Sequence, residues 1–264
     1  EVTGIHSVAG ALKDSLVVEP PFRSPHHTSS YVSIVGGGTF PKPGEVTLAH
    51  RGVLFLDEFP LFDKRVIESL RQPLEDNMVS ISRAKGTELF PANFILIGAL
   101  NPCPCGNYGT EKQCVCLPGS LIRYQSRISG PIADRIDIWV EVARVDHKKL
   151  SDSNNKGETS TAIRERVSSA RIMQNERFNN HPHHIKTNSE MSAKDLETFV
   201  KLSGKLIDMV NVSAEKFNLS GRAHHRLLKV ARTIADLEGV RAVGEQHILE
   251  ALQYRPKRGT GINH

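Results

Sequence analysis

The stretch Gly52-Val53-Leu54-Phe55-Leu56-Asp57-Glu58-Phe59-Pro60 constrains the fold more than any other in the chain. Four consecutive large apolar residues predict a strand buried on both faces, as in a parallel sheet with helices above and below. Two adjacent carboxylates follow where that strand ends. Ligands of open α/β sheets sit at the carboxyl ends of the strands, so the pair is placed for chemistry. In nucleotide hydrolysis, Asp57 would hold the magnesium that bridges the phosphates and Glu58 would polarise the attacking water. The competing reading is a buried strand whose acids merely open a loop.

A second apolar run, Phe94-Ile95-Leu96-Ile97-Gly98-Ala99-Leu100, predicts another buried strand and also ends in a polar residue, Asn101. An amide both donates and accepts, which suits holding the attacking water or a γ-phosphate oxygen beside Glu58. All four cysteines follow directly, as Cys103-Pro104-Cys105 and Cys114-Val115-Cys116. In a reducing compartment, two close pairs across a short loop suggest a four-thiolate zinc site of structural type. The spacing is tighter than the usual Cys-x-x-Cys, so unliganded thiols, or a disulfide formed on purification, stand beside the metal reading.

With 264 residues and 39% hydrophobic content, the chain can build one large domain or two modest ones. No apolar run approaches the length of a membrane span and no leader-like segment opens the chain, so a cytoplasmic protein with no membrane partner is expected. A net charge of +5 and a pI near 9.1 permit nucleic-acid binding without requiring it. There is no Gly-x-x-x-x-Gly-Lys-Ser/Thr loop to cradle phosphates; Gly36-Gly37-Gly38-Thr39 lacks the lysine and its flanks suit a hairpin or loop. The chain also opens on Glu1 without methionine, and the expectation is a fragment whose phosphate-binding half lies upstream.

Residues Glu1 to Leu12 read as the end of a helical element. From Pro20 to His50 the chain is rich in Pro, Gly, His and Ser, which excludes a long helix. Adjacent His26 and His27 would point to opposite faces of an extended segment, so a polar surface or phosphate contact is expected rather than a shared metal. Asp63 is placed to cap a helix carrying Val66, Ile67 and Leu70, which Pro73 should end or kink. Val79 to Phe90 reads as a hairpin with Arg83 and Lys85 near its tip, suited either to a phosphate backbone or to solubility. Ile136 to Val142 alternates as a strand with Arg135 at its mouth, where it could reach a neighbouring subunit's nucleotide or form an intrachain pair with Asp134 or Asp137.

The polar run Ser151 to Ser160 reads as a linker. An amphipathic helix marked by Ile163, Val167, Ala170 and Met173 follows, with Arg164, Arg166, Arg171 and Arg177 on its other faces. His181-Pro182-His183-His184 reads as loop. The rest is a small helical bundle whose long helix, capped by Ser220 and closed by Gly239, carries Arg222 and Arg226 in its first turns. An arginine on such a lid can sense bound nucleotide.

The segments PFRSPHHTSS, VGGGTFPKPGEVTLAHRGVLFLDEFP, ESLRQPLED, VSISRAKGTELFPANFILIGALNPCPCGNYG, RISGPIADRID and LSGRAHHRLLKVARTIADLEG together resemble the magnesium-chelatase-like ATPases of the ComM/YifB type. These are bacterial AAA+ proteins of the helix-2-insert group, related to magnesium chelatase I subunits and MCM helicases. The resemblance implies an α/β P-loop-type parallel core, here incomplete, followed by a small all-α lid. It implies Asp57 and Glu58 as Walker B, Asn101 as sensor 1, Arg135 as arginine finger and Arg222 as sensor 2. Tyr31 to Leu48 would hold the helix-2 insertion, and Val79 to Phe90 the pre-sensor hairpin.

The expected division is a core over 1–150, a linker and basic helix over 151–192, a lid over 193–256 and a tail over 257–264. ATP and magnesium are the implied cofactors, a hexameric ring of copies and DNA the implied partners, and competence-related branch migration the implied role. The alternatives are a chelatase-type remodeller of a protein partner and a degenerate subunit that does not hydrolyse. Without a Walker A loop, the isolated piece is expected to be inactive.

Overall fold

The computed structural model describes residues 1–12, 15–38, 42–83, 86–142 and 157–256, with the side chains of Ser82 and Arg83 excepted. The chain divides into two units, Glu1–Arg135 and a second beginning at Ile136.

The first unit is built on a parallel sheet of β1 (Phe22–Arg23), β4 (Val53–Leu56) and β7 (Ile95–Gly98), in the order β1-β4-β7. Val53 to Leu56 pairs residue for residue with Ile95 to Gly98, so the two apolar runs are neighbours with their carboxyl ends together. Gly52 permits the close approach at the sheet's entrance, because a Cβ there would lie 1.9 Å from the Pro21 carbonyl oxygen. That oxygen accepts the Val53 N–H at 2.8 Å.

Leu54 and Leu56 are fully buried, as are Phe59, Phe62, Val66, Ile67 and Leu70. The opposite face of the sheet is different. Phe22 stacks on Phe55 with ring centroids 6.1 Å apart, and Ile95 and Ile97 remain 62% and 45% exposed. The expected burial of the strands on both faces therefore holds for one face only.

Helix α1 (Val2–Val8) is anchored by His6, whose Nε2 lies 3.1 Å from the Leu48 carbonyl oxygen. Between β1 and β4 come α2 (Tyr31–Val35), the antiparallel pair β2 (Gly36–Gly37) and β3 (Lys42–Pro43), and α3 (Glu45–Leu48). Ser30 caps α2 by accepting the Ser33 N–H, and a two-residue ladder then takes over from the helix. Arg23 ties β1 to α3 through two hydrogen bonds to Glu45, of 2.6 and 2.7 Å.

After β4, Asp63 caps α4 (Lys64–Ser69) as expected, accepting the Arg65 N–H at 2.8 Å. Helix α5 (Arg71–Asp76) follows after a break at Leu70, three residues before Pro73, which has no N–H to continue the helical ladder. The expected hairpin forms from β5 (Met78–Arg83) and β6 (Gly86–Pro91), in register from Met78 opposite Pro91 to Arg83 opposite Gly86. Beyond β7 lie α6 (Pro118–Gln125) and α7 (Gly130–Ala133).

Residues 136–142 do not form the expected strand. Their alternation supplies the propensity, but among the described residues no strand pairs with them. Ile138, Val140 and Val142 are 51%, 67% and 85% exposed, and the Trp139 N–H donates to the Tyr254 carbonyl.

The second unit is helical: α8 (Ser160–Phe178), α9 (Ala193–Phe199), α10 (Gly204–Phe217), α11 (Gly221–Leu237) and α12 (Glu245–Gln253). Ser220 caps α11 by accepting the Ala223 N–H at 3.2 Å, and Gly239 takes a positive φ of 74° just past its end. Buried Leu227, Ala231, Ile234 and Ala235 recur on one face of α11 and share a core with Phe178, Met191, Leu196, Val210 and Ile248.

A polar centre lies within this unit. Asp236 accepts hydrogen bonds from Arg177, from Asn188 at 2.7 Å and from Arg232 at 2.9 Å, while Arg232 also donates to the Val240 and Arg241 carbonyls. Arg177 is thus a structural cation rather than part of an exposed basic face. The expected linker over 151–160 falls largely outside the described residues.

Candidate functional site

Because β4 and β7 run parallel and in register, the chain emerges from both at one end of the sheet. There the Ala99 N–H donates to the Leu56 carbonyl at 3.0 Å and the Phe59 N–H to the Ala99 carbonyl at 2.9 Å. These bonds carry the pairing past the strand ends and bracket Asp57 and Glu58 beside the segment that leads to Asn101. All three polar residues are exposed.

Glu58 sits in the left-handed region, at φ 50° and ψ 42°, which is unusual for a residue with a Cβ. Its N–H donates to Asp57 Oδ1 at 2.9 Å. The turn sends the Glu58 side chain back towards the end of β1, where its Oε2 lies 3.0 Å from His27 Nδ1. Backbone strain at such a position is a mark of function when the surroundings hold it in place.

His27 is a member of this site that reasoning from sequence missed. Its sequence context suggests a surface or phosphate contact, and only the adjacency of β1 and β4 brings it to Glu58. The adjacent imidazole of His26 stacks against it, with ring centroids 4.2 Å apart.

Asn101 borders a shallow recess lined by Pro60, Leu100, Pro102, Tyr124, Gln125 and Ile128. The Tyr124 hydroxyl donates to the Asn101 carbonyl at 3.2 Å, which ties α6 to the end of the strand segment. Burial pushes the Tyr124 phenol up, opposed by that hydrogen bond and reinforced by negative charge at Cys103 and Glu58.

The four cysteines gather immediately beyond Asn101, their sulfurs all within 4.8 Å of one another. Backbone N–H groups of Asn107 and Val115 hold the Cys105 thiol down at about 6. Cys116 is pushed up to about 12: the Cys105 backbone favours its thiolate, but desolvation and the neighbouring sulfurs outweigh this. Cys114 is raised in the same way, against a favourable hydrogen bond from the Cys116 backbone.

Arg135, in the same unit, is engaged elsewhere. Arg135 does not project from the first unit. It is buried, paired with Glu75 of α5, and donates to the Pro131 carbonyl at 2.7 Å. Asp137 belongs to the second unit, where Arg226 donates to it at 2.5 Å. Arg222 is exposed in the first turn of α11.

Arg83 ends β5, but its side chain and the whole of Lys85 lie outside the described residues. The two hairpins of the first unit do meet. A Cβ on Gly36, at φ 106°, would lie 2.8 Å from Ile81 Cδ1, so the base of the β2–β3 pair rests on β5. Among the described residues, no helix is long and apolar enough to cross a membrane.

Comparison with known proteins agrees with this architecture. The family described as Magnesium chelatase, subunit ChlI, matches residues 1–150, and its C-terminal family matches residues 157–255. Competence protein ComM of Haemophilus influenzae is 42% identical over 97% of this chain and 50% of its own length. The uncharacterized protein YifB of Escherichia coli is 41% identical over 89% of the chain and 45% of its own length. An uncharacterized Mycobacterium bovis protein is 38% identical over 97% of the chain and 50% of its own length. The chain spans about half the length of these curated relatives. With an α/β AAA+-like core, a helical unit after it and both family matches in that order, the chain belongs to the magnesium chelatase ChlI family and groups there with the ComM/YifB proteins.

Proposed function

We propose that this chain is the hydrolytic core and helical lid of an ATP-driven, ring-forming motor that acts on DNA, with Glu58 as general base. The observation that carries the reading is the placement of two carboxylates and an amide at one end of two adjacent parallel strands, with Glu58 held in a left-handed backbone conformation. The residues fit a magnesium nucleotide. Asp57 is exposed, and one of its oxygens takes no protein partner among the described residues. It is a free hard-oxygen ligand of the kind magnesium uses when it keeps waters and phosphates as its other ligands.

Bound magnesium–ATP supplies the phosphoryl group, and the chain's own residues orient and polarise. Asp57 would hold the ion at the end of β4. Glu58 accepts a proton from the attacking water, and His27 fixes the direction of that carboxylate. The Asn101 side-chain amide holds the water or a terminal phosphate oxygen from the neighbouring strand. Arg135 acts across the boundary between copies, which requires it to leave Glu75, and Arg222 reports on the nucleotide from the lid.

Arg83 and Lys85 contact the nucleic acid. Support for DNA comes from the basic balance of the chain and from the printed name of the Haemophilus relative, which is a competence protein. The test is ATP turnover by the full-length protein with and without DNA, across a salt series. Turnover stimulated by DNA, with binding that weakens steeply as salt rises, is expected. Turnover indifferent to DNA would favour a protein substrate, and nucleotide binding without turnover would favour a scaffold subunit.

A further inference from the structure

We propose that Cys103, Cys105, Cys114 and Cys116 form a structural zinc site that closes the loop between Asn101 and α6, a site independent of nucleotide. The sulfur positions carry the inference. Cys103 Sγ lies 3.4 Å from Cys105 Sγ and 3.8 Å from Cys114 Sγ, and Cys105 Sγ lies 3.6 Å from Cys114 Sγ. Cys116 completes a group of four whose members are all within 4.8 Å of one another.

Four thiolates around a tetrahedral zinc, with zinc–sulfur bonds of about 2.3 Å, stand about 3.8 Å apart. A disulfide needs sulfurs about 2.0 Å apart; Cys103 and Cys105 stand 3.4 Å apart and all four cysteines are free thiols. The three sulfurs of Cys103, Cys105 and Cys114 already stand at nearly the edge lengths of one face of a zinc tetrahedron, with Cys116 within 4.8 Å of each.

The surrounding backbone agrees. The Tyr108 N–H donates to Cys103 Sγ at 3.3 Å, an outer-shell bond of the kind that orients a metal ligand. The Gly106 N–H donates to the Cys103 carbonyl at 3.0 Å. Gly106 and Gly109 adopt φ of 76° and 75°, which lets the loop turn tightly beneath the sulfurs. Cys103 is buried while the other three are partly exposed, so the cluster has one anchored sulfur and an open side for the ion to enter.

The consequence reaches the neighbouring site. Cys103 is two residues from Asn101, and the segment after Cys116 becomes α6, whose Tyr124 holds the Asn101 carbonyl. A metal that joins the two cysteine pairs therefore clamps both ends of the loop that sets where Asn101 stands. Binding replaces thiol protons by the ion and releases them to solvent, so no redox partner is involved.

The test is metal content of the full-length protein purified under reducing conditions without chelator. One zinc per chain is expected, released when an organomercurial blocks the thiols. Cobalt titrated into the metal-free protein should give the intense visible bands of tetrahedral thiolate cobalt. Cys116→Ser should lose those bands and become more sensitive to proteolysis within residues 102–117, while Cys103→Ser, at the buried sulfur, should be the more damaging change. If Cys116→Ser does not fold, the cobalt titration of the unaltered protein still decides. Metal-free protein with four freely titrating thiols and no cobalt bands would overturn the proposal. Because the readout needs no nucleotide, that result would leave the assignment of Glu58 untouched.

Discussion

In the proposed hydrolysis, the 3.0 Å contact between Glu58 and His27 narrows the chemistry more than the carboxylate pair alone. A left-handed glutamate is costly unless its neighbours hold it, and the Nδ1 of His27, 3.0 Å away, is the contact that aims its carboxylate. His27→Ala is expected to lower kcat about tenfold with little change in KM, since orientation is lost while the binding groups remain. His27→Asn should recover much of the rate, because the asparagine Nδ2 occupies nearly the place of the histidine Nδ1. An unchanged kcat in His27→Ala would remove His27 from the site.

Asp236 presents a different kind of residue. Burial raises its pKa, but hydrogen bonds and charge from Arg177, Asn188 and Arg232 prevail and hold the carboxyl below its ordinary range. Asp236→Ala would leave Arg232, 1% exposed, buried without its counter-ion, at a cost of about 3–5 kcal/mol to the helical unit. Chemical denaturation followed by helical signal measures this. In the helical unit, Asp195 feels desolvation that raises it, but His181 and Ser192 hold it at about 2. A carboxyl lowered by folding stabilises above its unfolded pKa of about 4 and loses that contribution as pH falls through the folded value. The helical unit should therefore melt at progressively lower temperature from about pH 4 down to about pH 2. An unchanged melt across that window would contradict the paired state of both acids.

The strands and the hairpin were legible because local pattern and tertiary outcome coincide in them. Leu54 and Leu56 face the core, Val79 and Ile81 alternate with Ser80, and Asp63 and Ser220 cap where a helix start needs an acceptor. The failures share a cause, which is that partners distant in sequence decide them. Residues 136–142 alternate well, yet a strand exists only beside another strand's edge. The sequence neighbours of Arg135 suggest local partners, but it pairs with Glu75, sixty positions away. His27 meets Glu58 only because β1 lies beside β4. Gly52 is the clearest test of how β1 and β4 are joined: Gly52→Ala puts a methyl carbon 1.9 Å from the Pro21 oxygen and is expected to destabilise the first unit by about 3 kcal/mol. An alanine variant with the thermal stability of the parent would disprove that close approach.

A molecule that couples hydrolysis to movement on DNA needs a nucleotide site and a separate surface that grips the strand. The β5–β6 hairpin and the β2–β3 pair, which meet at Ile81 and Gly36, form one candidate surface in the first unit. Replacing Arg83 and Lys85 together by alanine should weaken DNA binding across sequences and reduce the slope of log affinity against log salt by about 2. An unaltered slope would move the contact elsewhere. Glu58→Gln in the full-length protein separates the general base from the groups that only bind ATP. ATP should still bind, measured by equilibrium titration, while turnover falls by about 100-fold or more. Undiminished turnover in that variant, with normal ATP affinity, would mean that Glu58 is not the general base.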